Sequence, residues 1–384
     1  MNLRNLPSGL SDSAQCDARR TMIEKELGLD LSALAVDSDR LGSANEKNCE
    51  QMFGHLTVPM GLAGPLSVHF SSDEKQSVYL PLATTEGALI ASVNRGCKAA
   101  SVSGIHTISK LCGITRSIAL KAKVSKKELL DAIMKERDAW RSIGEGTSDH
   151  LQIIGYDIDE EDEYIFLTIY GDSDLAMGMN MITVAAQAIG EWISTHCDAT
   201  LVTVAANIDS DKKPSARTTK KGRGWMVEAY CMISAETLRN VLKTDASSML
   251  ETFKAKIEIG SHIAGALAGN CHSANIIAAL YLATGQDIAH TVEGSLAETS
   301  LHVHDDDIHV NVRCPAILVG TIGGGTSLPS QNTALSILLH EKSSLKPTQQ
   351  LAETIGAAVL AGELSLLAAL SSQSLAKAHR NLAR

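Results

Sequence analysis

The chain of 384 residues is 44% hydrophobic, which is enough apolar material for a buried core and for more than one domain. Aromatic residues make up only 3%, and the formal net charge is −10. This composition argues against base stacking on single-stranded nucleic acid and against a general polyanion-binding surface, so we expect no nucleic-acid partner.

The cysteines are scattered along the chain, with no CxxC pair and no short regular spacing. This pattern predicts free thiols in a reducing compartment. The N-terminal stretch lacks the continuous apolar core of a signal peptide, and no run approaches the roughly 18 apolar residues of a membrane span. We therefore expect a soluble, cytoplasmic protein without a membrane partner.

The first part of the chain, residues 1–53, is predicted to be a small helical region. Apolar and charged residues follow helical spacing over residues 13–27, and a second short helical segment is predicted for residues 31–36. After that region the pattern changes to short apolar runs separated by prolines and glycines, which is typical of strands and tight turns. We expect a larger mixed α+β domain that comprises residues 54–117 and 205–365.

The stretch PLATTEGALIASVNRGCKAA, residues 81–100, contains a single carboxylate, Glu86. Thr84 or Thr85 is a plausible N-cap, so a helix is predicted to begin beside Glu86. Its alanines and glycines leave one side without bulk, where another backbone or a flat ligand can approach closely. Glu86 is then either a first-turn glutamate that the helix dipole favours, or a functional group whose partners lie elsewhere.

Residues 118–204 are predicted to form a compact insert in the larger domain. Strand and helix patterns alternate along it, at residues 117–124 (strand), 125–142 (helix), 150–157 (strand), 164–170 (strand) and 179–196 (helix). The acidic residues between the second and third strands are expected to form a solvated turn. This order of elements predicts an α+β domain of ferredoxin-like type.

The sequence GDSDLAMGMN, residues 171–180, leads from the last of these strands into the following helix. Gly178 stands where that helix should begin, and a glycine lets the backbone approach a ligand closely. The amides of a helix N-terminus suit a pyrophosphate. The alternative is an ordinary strand-to-helix turn with a methionine-rich packing face.

A charged segment follows at residues 207–224, where Asp209 and Asp211 precede Lys212 and Lys213. Charge runs of this kind are usually solvated loops. The functional alternative is a lysine that carboxylates keep fully charged and aimed at an oxygen that becomes negative during a reaction.

The helix predicted for residues 269–284 ends in a Gly-Gln-Asp motif. Gly285 takes the position after the helix, and Asp287 follows two residues later. A carboxylate at the negative end of a helix dipole has a raised pKa, whereas Glu86 is expected at the positive end of its own helix. Two carboxylates in opposite fields, coupled through Lys212, could share a proton at neutral pH, provided that the three groups meet.

The segment LHVHDDDIHV, residues 301–310, combines histidines with aspartates but lacks the spacing of a zinc motif. We predict an exposed strand and turn there, without a metal. The glycine cluster VGTIGGGT, residues 319–326, suits close contact with a ligand or a neighbouring helix. A helical tail, residues 366–384, carries an isolated histidine, His379, which by itself indicates nothing.

Five motifs occur together and in one order: LATTEGALIASVNRGCKA, DKKP, SANIIAALYLATGQD, VGTIGGGT, and AGELSLLAAL with KAH. In this combination the chain resembles the 3-hydroxy-3-methylglutaryl-coenzyme A (HMG-CoA) reductase family from Glu50 onward. The motifs MGMN, DKKP and GQD are similar to those of the class that contains the eukaryotic and archaeal enzymes. The resemblance implies a large domain with a long central helix, an inserted small cofactor-binding domain, and homodimers or higher oligomers with shared active sites.

The resemblance also implies a reaction and its catalytic residues. HMG-CoA and mevalonate plus coenzyme A are interconverted by two hydride transfers, with NADPH or NADH and no metal. The matching catalytic positions are Glu86, Lys212, Asp287 and His379. Lys212 would stabilise the oxygen that becomes negative at each hydride step, and Glu86 would protonate it. Asp287 would hold the lysine and keep the glutamate protonated, while His379 would protonate the departing thiolate.

Other positions match the ligand sites of the family. Those implied for the HMG-CoA site are Ser92, Asn94, Arg95, Arg116, Asn207, Asp211, Lys213, Lys256 and Asn275. Those implied for the dinucleotide site are Met177, Gly178, Met179 and Asn180, with Asp149 near the ribose.

Some residues depart from the family pattern. The family's Asp-Ala-Met-Gly is one residue longer here, which leaves the role of Asp174 open, and a serine expected before the DKKP loop is Ala205. NADPH-using members carry Thr-Ser-Arg where this chain has Thr-Ser-Asp, ending at Asp149. An aspartate opposes a 2′-phosphate, so we expect NADH to be used at least as well as NADPH. The chain ends at Arg384 without the phosphorylatable serine of the animal enzymes, so that mode of regulation is not expected.

Two other functions stay open at this point. A coenzyme-A-dependent oxidoreductase of another acyl group would offer no second carboxylate for Arg116, Lys213 and Lys256 to meet. A dimeric nucleotide-binding regulator would have a broken catalytic set, and the set in this sequence is intact. The residues do not decide whether mevalonate is made or consumed.

Overall fold

The computed structural model describes residues 2–123 and 125–373, which fold around two large hydrophobic cores joined by one long strand. His379 and Arg384 lie outside the described residues. The strands are β1 (Met60–His69), β2 (Lys75–Ala83), β3 (Ile105–Ala122), β4 (Gln152–Glu161), β5 (Tyr164–Asp172), β6 (Ala199–Thr203), β7 (Gly224–Ile233), β8 (Glu298–His304) and β9 (Asp307–Ile317).

The α-helices, in chain order, are α1 (Asp12–Leu27), α2 (Ser38–Leu41), α3 (Ala44–Lys47), α4 (Leu89–Ala100), α5 (Lys126–Lys135), α6 (Arg137–Glu145), α7 (Met179–His196), α8 (Ala216–Lys221), α9 (Ala235–Thr237), α10 (Ala246–Phe253), α11 (Ser261–Ala264), α12 (Ser273–Thr284), α13 (Thr291–Gly294), α14 (Pro329–Leu338) and α15 (Pro347–Ser371). Short 3-10 turns lie at Ser32–Leu34, Ile288–His290 and Gly324–Ser327, and π-helical segments at Leu238–Leu242 and Lys254–Gly260.

The N-terminal helix α1 lies within one residue of its predicted bounds. The hydroxyl of Ser11 accepts a hydrogen bond from an amide of the first turn, and Gly28 ends the helix in the left-handed conformation (φ 67°). The second predicted helical segment is only a 3-10 turn. Arg19 of α1 is buried and donates to the carbonyl of Met52 (2.9 Å), which ties this region to the chain that leads into β1.

The larger sheet has the strand order β2-β1-β3-β7-β9-β8, and its pairings are antiparallel except for the short contact between β1 and β3. Its strands alternate buried and exposed residues, so one face is apolar. Helices α4, α12 and α15 share a core with that face. Because α15 is buried on nearly all sides, it lies in the centre of this core.

Close backbone contact takes the place of aromatic packing in this core. A Cβ atom built on Gly96 of α4 would lie 1.8 Å from the carbonyl oxygen of Ala361 in α15, so only glycine fits there. The predicted bare side of this helix is confirmed, and another backbone lies against it. Within the described residues, α15 is also the one helix long and apolar enough to cross a membrane, but 83% of its apolar window is buried inside the protein.

The second sheet begins with the C-terminal half of β3. Residues 114–121 pair with β5, residues 119–122 pair with β6, and β4 pairs with the other side of β5. This gives an antiparallel sheet in the order β4-β5-β3-β6. Helices α5, α6 and α7 bury their apolar side chains against it in the second core.

The helix predicted for residues 125–142 is wrong in one respect, because the structure has two helices there. The helices α5 and α6 are separated at Glu136, which has a non-helical backbone (φ −91°, ψ 19°). The indole N–H of Trp140 donates to the carbonyl of Ile133 (2.9 Å), so a side chain takes an acceptor near the break. The next helix, α7, has the bounds that the sequence predicts.

The acidic run at residues 157–163 is predicted to be a solvated turn, and this prediction is wrong for residues 157–161, whereas Asp162 and Glu163 do form an exposed turn. Strand β4 continues through most of the run, to Glu161. Asp157 forms ion pairs with Arg217 (2.9 Å) and Lys221, both in α8. The strand persists because α8 supplies the opposite charge, and these pairs tie the second sheet to the segment that follows Lys212.

The turn that carries Glu86 also differs from the prediction. Helix α4 begins at Leu89, and Ala88 before it is left-handed (φ 70°), so Glu86 is not in a helical turn. The hydroxyl of Thr84 accepts the amide of Glu86 (3.0 Å), which closes a local turn instead of capping a helix. A threonine before an apolar run is compatible with a helix cap and with a turn. Because Glu86 precedes the helix, the effect of the helix dipole expected for a first-turn glutamate does not apply.

The histidine-rich segment forms a hairpin, as predicted. Strands β8 and β9 are joined by a turn at Asp305, which has a positive φ of 55°. His302 lies opposite His309 across the two strands. The alternating sequence pattern of this segment therefore reflects its position in the hairpin at the edge of the larger sheet.

Candidate active site

Lys212 and Asp287 form an ion pair, with the ammonium nitrogen 2.8 Å from Oδ2 of the carboxylate. Lys212 lies in the loop between β6 and α8, and Asp287 follows Gly285, which ends α12 in the left-handed conformation (φ 72°) as predicted. The two side chains are 41% and 37% exposed, so a ligand can reach them. A carboxylate from a distant part of the chain therefore holds the lysine of the charged segment.

The loop that carries Lys212 has a strained backbone. Asn207, Ser210 and Lys212 have φ angles of 64°, 55° and 56°, which residues with a side chain rarely adopt. The amide of Lys212 donates to Oε1 of Glu293 (2.7 Å), and Glu293 is fully buried. Tertiary contacts therefore maintain the backbone that directs the lysine towards Asp287.

Two buried arginines bind three carboxylates at this loop, and two of these, Asp209 and Asp211, belong to the loop itself. The contacts are Arg223 to Glu293 (2.6 Å) and Asp211 (3.0 Å), and Arg116 to Asp209 (3.1 Å) and Asp211 (3.5 Å). Arg116 and Asp211 are expected at the substrate site, whereas no motif in the sequence indicates a role for Arg223 or Glu293. In the sequence, the feature that marks Arg223 is its position between two glycines. Both glycines adopt positive φ angles in the structure.

The pKa values of the aspartates follow from burial and from these cations. Burial raises the pKa of Asp209, although Arg116 and Arg223 oppose it. Burial also tends to raise the pKa values of Asp211 and Asp287, but nearby cations and hydrogen-bond donors lower both values by more. The pKa of Asp211 is lowered because of Arg223 and Arg116, and that of Asp287 because Lys212 and the amide of Ala289 donate to it.

The raised pKa predicted for Asp287 is therefore wrong. The negative end of α12 is only one of the influences on Asp287. Asp287 also caps the next 3-10 turn, where its side chain accepts the amide of Ala289 (3.1 Å), and it meets Lys212. These two donors favour the ionised form.

His290 and Glu293 extend the network towards Asp287. Nδ1 of the fully buried His290 lies 3.2 Å from Glu293, and Nε2 lies 3.7 Å from Asp287. The ligand atoms of Asp211, His290 and Glu293 are all within 4.8 Å of one another, a spacing that could hold a metal ion. The guanidinium of Arg223 already contacts two of these three side chains and supplies the positive charge that a metal would bring.

Glu86 is exposed, and within residues 2–123 and 125–373 its carboxylate has no hydrogen-bond or ion-pair partner. Ala83, at the end of β2, packs in one small apolar cluster with Ala283, near the end of α12. Ala83 shortly precedes Glu86, and Ala283 shortly precedes Asp287. The structure therefore joins Lys212 to Asp287 directly and brings the Glu86 turn to the same end of α12.

The segment expected to bind the dinucleotide lies next to the buried arginines. Met179 and Thr183 of α7 contact Arg223 (Sδ to Nη2, 3.0 Å) and Arg116 (Oγ1 to Nε, 3.1 Å), respectively. Asn180 follows in the exposed first turn of the helix. The substrate and cofactor residues implied by the resemblance are thus neighbours around the arginines.

The glycine cluster connects this segment with the end of α12. A Cβ atom on Gly320 would lie 2.6 Å from the amide nitrogen of Met177, so the two backbones touch. The side chain of Gln286, next to Asp287, accepts the amide of Gly320 (2.9 Å) and donates to its carbonyl (3.0 Å). The expected close contact of the glycine cluster with a helix end is confirmed.

Asp149 lies in the exposed turn between α6 and β4, beside the start of α7. Its neighbour Ser148 donates to the sulfur of Met181 in α7 (3.4 Å), and His150 lies 3.7 Å from the carboxylate of Asp174. Asp174 is itself engaged by Lys346 at the start of α15 (3.2 Å). Asp149 is therefore close to the segment that would hold a dinucleotide.

The residues expected on the coenzyme A side of α4 have partners within the protein. Ser92 and Arg95 both contact the hydroxyl of Ser365 in α15, at 3.1 and 3.0 Å. Asn94 accepts the amide of Gly64 in β1 (3.0 Å). Burial lowers the pKa of Arg95. These contacts hold α4 against α15 and β1.

The remaining substrate residues divide between the two ends of α12. Lys213 donates to the carbonyl of Asp211 (3.0 Å), near the Lys212 loop. Asn275 lies in the first turn of α12, roughly 14 Å along the helix axis from Thr284 at the other end, at 1.5 Å per residue. Lys256 lies at this same N-terminal end, because its charge acts on Cys271 just before α12. A single chain therefore does not bring the whole predicted set together.

Comparison with known proteins finds relatives that match almost the whole chain. The family model for hydroxymethylglutaryl-coenzyme A reductase matches residues 15–384. The 3-hydroxy-3-methylglutaryl-coenzyme A reductase of Haloferax volcanii is 38% identical over 100% of this chain and 96% of its own length. The reductase of Methanocaldococcus jannaschii is 38% identical over 96% and 92%.

A solved structure gives the same indication for the fold. The class II 3-hydroxy-3-methylglutaryl-CoA reductase from Streptococcus pneumoniae, bound to NADPH in open conformations, has a TM-score of 0.69. The alignment covers 92% of this chain and 86% of that chain, at 17% sequence identity. At this identity the similarity establishes a common mixed α+β fold.

Proposed function

This chain belongs to the hydroxymethylglutaryl-coenzyme A reductase family, and we propose that its active site is built on the Lys212–Asp287 ion pair, with Glu86 as the acid. The protein is an oxidoreductase that reduces HMG-CoA to mevalonate with a nicotinamide dinucleotide. One observation carries the site assignment: a lysine in a strained loop is held by a carboxylate and is open to a ligand.

The reaction needs a fixed positive charge and a source of protons. Two molecules of the reduced nicotinamide dinucleotide would each supply one hydride, the first to the thioester carbonyl and the second to the aldehyde that remains after the thiol has left. At each step Lys212 stabilises the oxygen that becomes negative, and Glu86 protonates it. Asp287, whose pKa is lowered, stays ionised at neutral pH and holds the ammonium group. His379 protonates the departing thiolate.

The start of α7 fits the pyrophosphate of a dinucleotide. Gly178 has a φ of 95°, and a Cβ atom there would come within 2.3 Å of Ser173, so this position stays free of a side chain. No side chain of residues 2–123 and 125–373 caps the first turn, which leaves its amides available to an anion. We therefore assign residues 177–180 to dinucleotide binding.

We further propose that NADH is used at least as well as NADPH. Asp149 lies beside the start of α7, as the contacts of Ser148 and His150 indicate. A carboxylate there would repel the 2′-phosphate of NADPH, by roughly 4 kcal/mol at 4 Å and an effective dielectric constant near 20, before screening by salt. The neutral ribose hydroxyl of NADH meets no such repulsion.

A homodimer with shared active sites is supported by the two ends of α12. HMG-CoA carries a short acyl group, which does not span the roughly 14 Å of helix axis between Asn275 and the end of α12 at Thr284. A second copy of the chain can bring its Lys256 and Asn275 to the Lys212–Asp287 pair. The exposed apolar side chain of Ile263 (79%), close to Lys256 in sequence, offers surface for such a contact.

Mixing two inactive variants tests this arrangement. Heterodimers of Lys212→Ala with Asn275→Ala contain one site that combines both wild-type residues. We expect mixing with subunit exchange to restore about a quarter of wild-type activity, because half of the dimers are mixed and each has one intact site. No recovery in a mixture whose exchange is confirmed by light scattering and tagged subunits would show that each site belongs to one chain.

We propose the same division of the chain as the sequence predicts, with one adjustment. The N-terminal region is residues 1–53, the larger domain residues 54–117 and 205–365, and the cofactor domain residues 118–204. The antiparallel order β4-β5-β3-β6 supports a ferredoxin-like cofactor domain, and the buried α15 supports a central long helix. Because α15 continues to Ser371, the tail with His379 follows this helix rather than residue 365. Burial of α15 supports a cytoplasmic protein.

A spectrophotometric assay tests the proposed function. The absorbance of reduced nicotinamide at 340 nm is followed with HMG-CoA as substrate, with NADH and NADPH in turn, and in the reverse direction with mevalonate and coenzyme A. We expect turnover with HMG-CoA that is absent with acetyl-CoA. Oxidation of the cofactor at equal rates with both thioesters would contradict the assignment of the acyl group.

A further inference from the structure

We propose that Glu293 positions both members of the Lys212–Asp287 pair and is therefore a positioning residue of the reaction. The inference rests on the proposed function and deepens it. Glu293 is fully buried in α13 and acts through protein contacts. Removing it should change the chemical step itself and not only the stability of the fold.

The contact with Lys212 is direct. Oε1 of Glu293 accepts the backbone amide of Lys212 (2.7 Å), and Lys212 has the left-handed φ of 56°. A left-handed residue with a side chain costs free energy, so it persists only where neighbouring groups hold it. Glu293 is the described side chain that binds this amide, so it maintains the strained residue from which the lysine side chain extends.

The contact with Asp287 passes through His290. Nδ1 of His290 lies 3.2 Å from the same Oε1 atom, and Nε2 faces Oδ2 of Asp287 at 3.7 Å. The ring is fully buried, and within the part of the chain that the structure describes its Nε2 has no hydrogen-bond partner. A buried nitrogen directed at a catalytic carboxylate limits where that carboxylate can move.

The positive charge of Arg223 compensates the negative charge of the buried Glu293 carboxylate. Its guanidinium contacts Glu293 (2.6 Å) and Asp211 (3.0 Å), and it is 1% exposed. Oε2 of Glu293 has no partner among the described residues, so the arrangement leaves one buried polar atom unpaired. Such an arrangement is costly for folding alone and is typical of a group retained for its function.

The test compares two buried glutamates. Glu353 in α15 is as buried as Glu293, but it binds Ser71 in the turn after β1 and Thr107 and Ser109 in β3. It contacts neither member of the pair. Glu293→Ala and Glu353→Ala are therefore matched in size and burial. For each we would measure kcat, KM for HMG-CoA, and the primary isotope effect with cofactor deuterated at the transferred hydrogen.

We expect Glu293→Ala to lower kcat about 100-fold, the effect of displacing a catalytic group by about 1 Å. KM for HMG-CoA should stay within about threefold, because only the transition-state contact is lost. The isotope effect should rise towards its intrinsic value as hydride transfer becomes rate-limiting. Glu353→Ala should lower the melting temperature at least as much, with kcat and the isotope effect of the wild type.

The conservative variant separates positioning from charge. Glu293→Gln keeps an acceptor oxygen for the amide of Lys212, so we expect it to retain turnover within about tenfold of the wild type. Equal losses in Glu293→Gln and Glu293→Ala would overturn the proposal, because neutralisation of Arg223 would then explain both. So would a wild-type isotope effect in Glu293→Ala. If Glu293→Ala does not fold, His290→Leu tests the contact to Asp287 and should show the same rise. Failure of the wild type to reduce HMG-CoA would instead reject the proposed function.

Discussion

The loop that carries Lys212 and the turn that carries Glu86 reach the same end of α12, and they are held in different ways. Buried ion pairs of Arg223 with Glu293 and Asp211 fix the Lys212 loop from behind. The Glu86 turn is closed by one local hydrogen bond to Thr84. Removing one partner of a buried pair typically costs about 3–5 kcal/mol, whereas an exposed carboxylate without a partner contributes little to folding.

This difference separates a preorganised group from an accessible one. The charge of Lys212 has to be in place before the substrate oxygen becomes negative, and a rigid loop avoids reorganisation at that moment. Glu86 has to lose and regain a proton, which an exposed carboxylate near the substrate can do. The comparison predicts that the two positions respond differently to substitution.

The largest effect is expected for Lys212→Ala. Loss of a preorganised positive charge should lower kcat by at least about 100-fold. The melting temperature should change little, because the backbone amide that binds Glu293 remains. Retention of more than about a tenth of wild-type turnover would contradict the assignment, since tenfold corresponds to only about 1.4 kcal/mol of barrier.

Glu86→Gln should reduce turnover by a similar factor, about 100-fold, because the proton donor is lost while the shape is kept. Its thermal unfolding should coincide with that of the wild type, since the side chain is exposed. Glu26→Gln in α1, another exposed glutamate, is the matched control and should keep full activity. A fall in melting temperature with Glu86→Gln would show that this turn is held as firmly as the Lys212 loop.

His379→Gln should mainly slow release of the thiol. Reduction of the free aldehyde, mevaldehyde, needs no leaving-group acid, so we expect its rate to survive while turnover of the thioester falls about tenfold or more. Parallel assays with HMG-CoA and mevaldehyde make the comparison. Equal loss with both substrates would rule out this role.

Asp149→Arg should move cofactor choice towards NADPH. Replacing a repelling carboxylate by a guanidinium should change the ratio of kcat/KM for NADPH over NADH by about tenfold or more, after screening by salt. Asp131→Arg, an exposed position of α5, introduces the same charge and should leave the ratio unchanged. A wild-type ratio that favours NADPH by more than about tenfold would show that Asp149 does not face the ribose.

The smallest effect concerns the stability contributed by Asp287. Its pKa in the folded protein is lowered, so its contribution is present above the unfolded value near 3.9 and is lost as pH falls through the folded value. Asp287→Asn should therefore reduce the free energy of unfolding at pH 7 by less than about 1 kcal/mol, the range of exposed pairs. The difference should vanish in acid. Urea titrations at pH 7 and pH 3 would measure it, and a larger difference at pH 3 would contradict the sign.

The sequence determined the elements whose signals are local. The extent of α1, the bounds of α7, the glycine that ends α12 and the bare side of α4 all depend on neighbouring residues. The sequence also predicts Lys212 and Asp287 as partners, from motifs that the chain carries in order, and the structure places the two side chains in contact.

Only the tertiary structure decided how those residues are held. Helix α4 begins after Glu86, later than predicted, because Thr84 closes a turn there. The pKa of Asp287 is lowered, not raised, because Lys212 and the amide of Ala289 donate to its carboxylate. No local pattern indicates that Arg223 pairs with Glu293, since this buried ion pair joins residues that lie 70 positions apart in the chain. Periodicity reports which face of an element is buried, and it contains no information about which charge a distant segment will bring to that face.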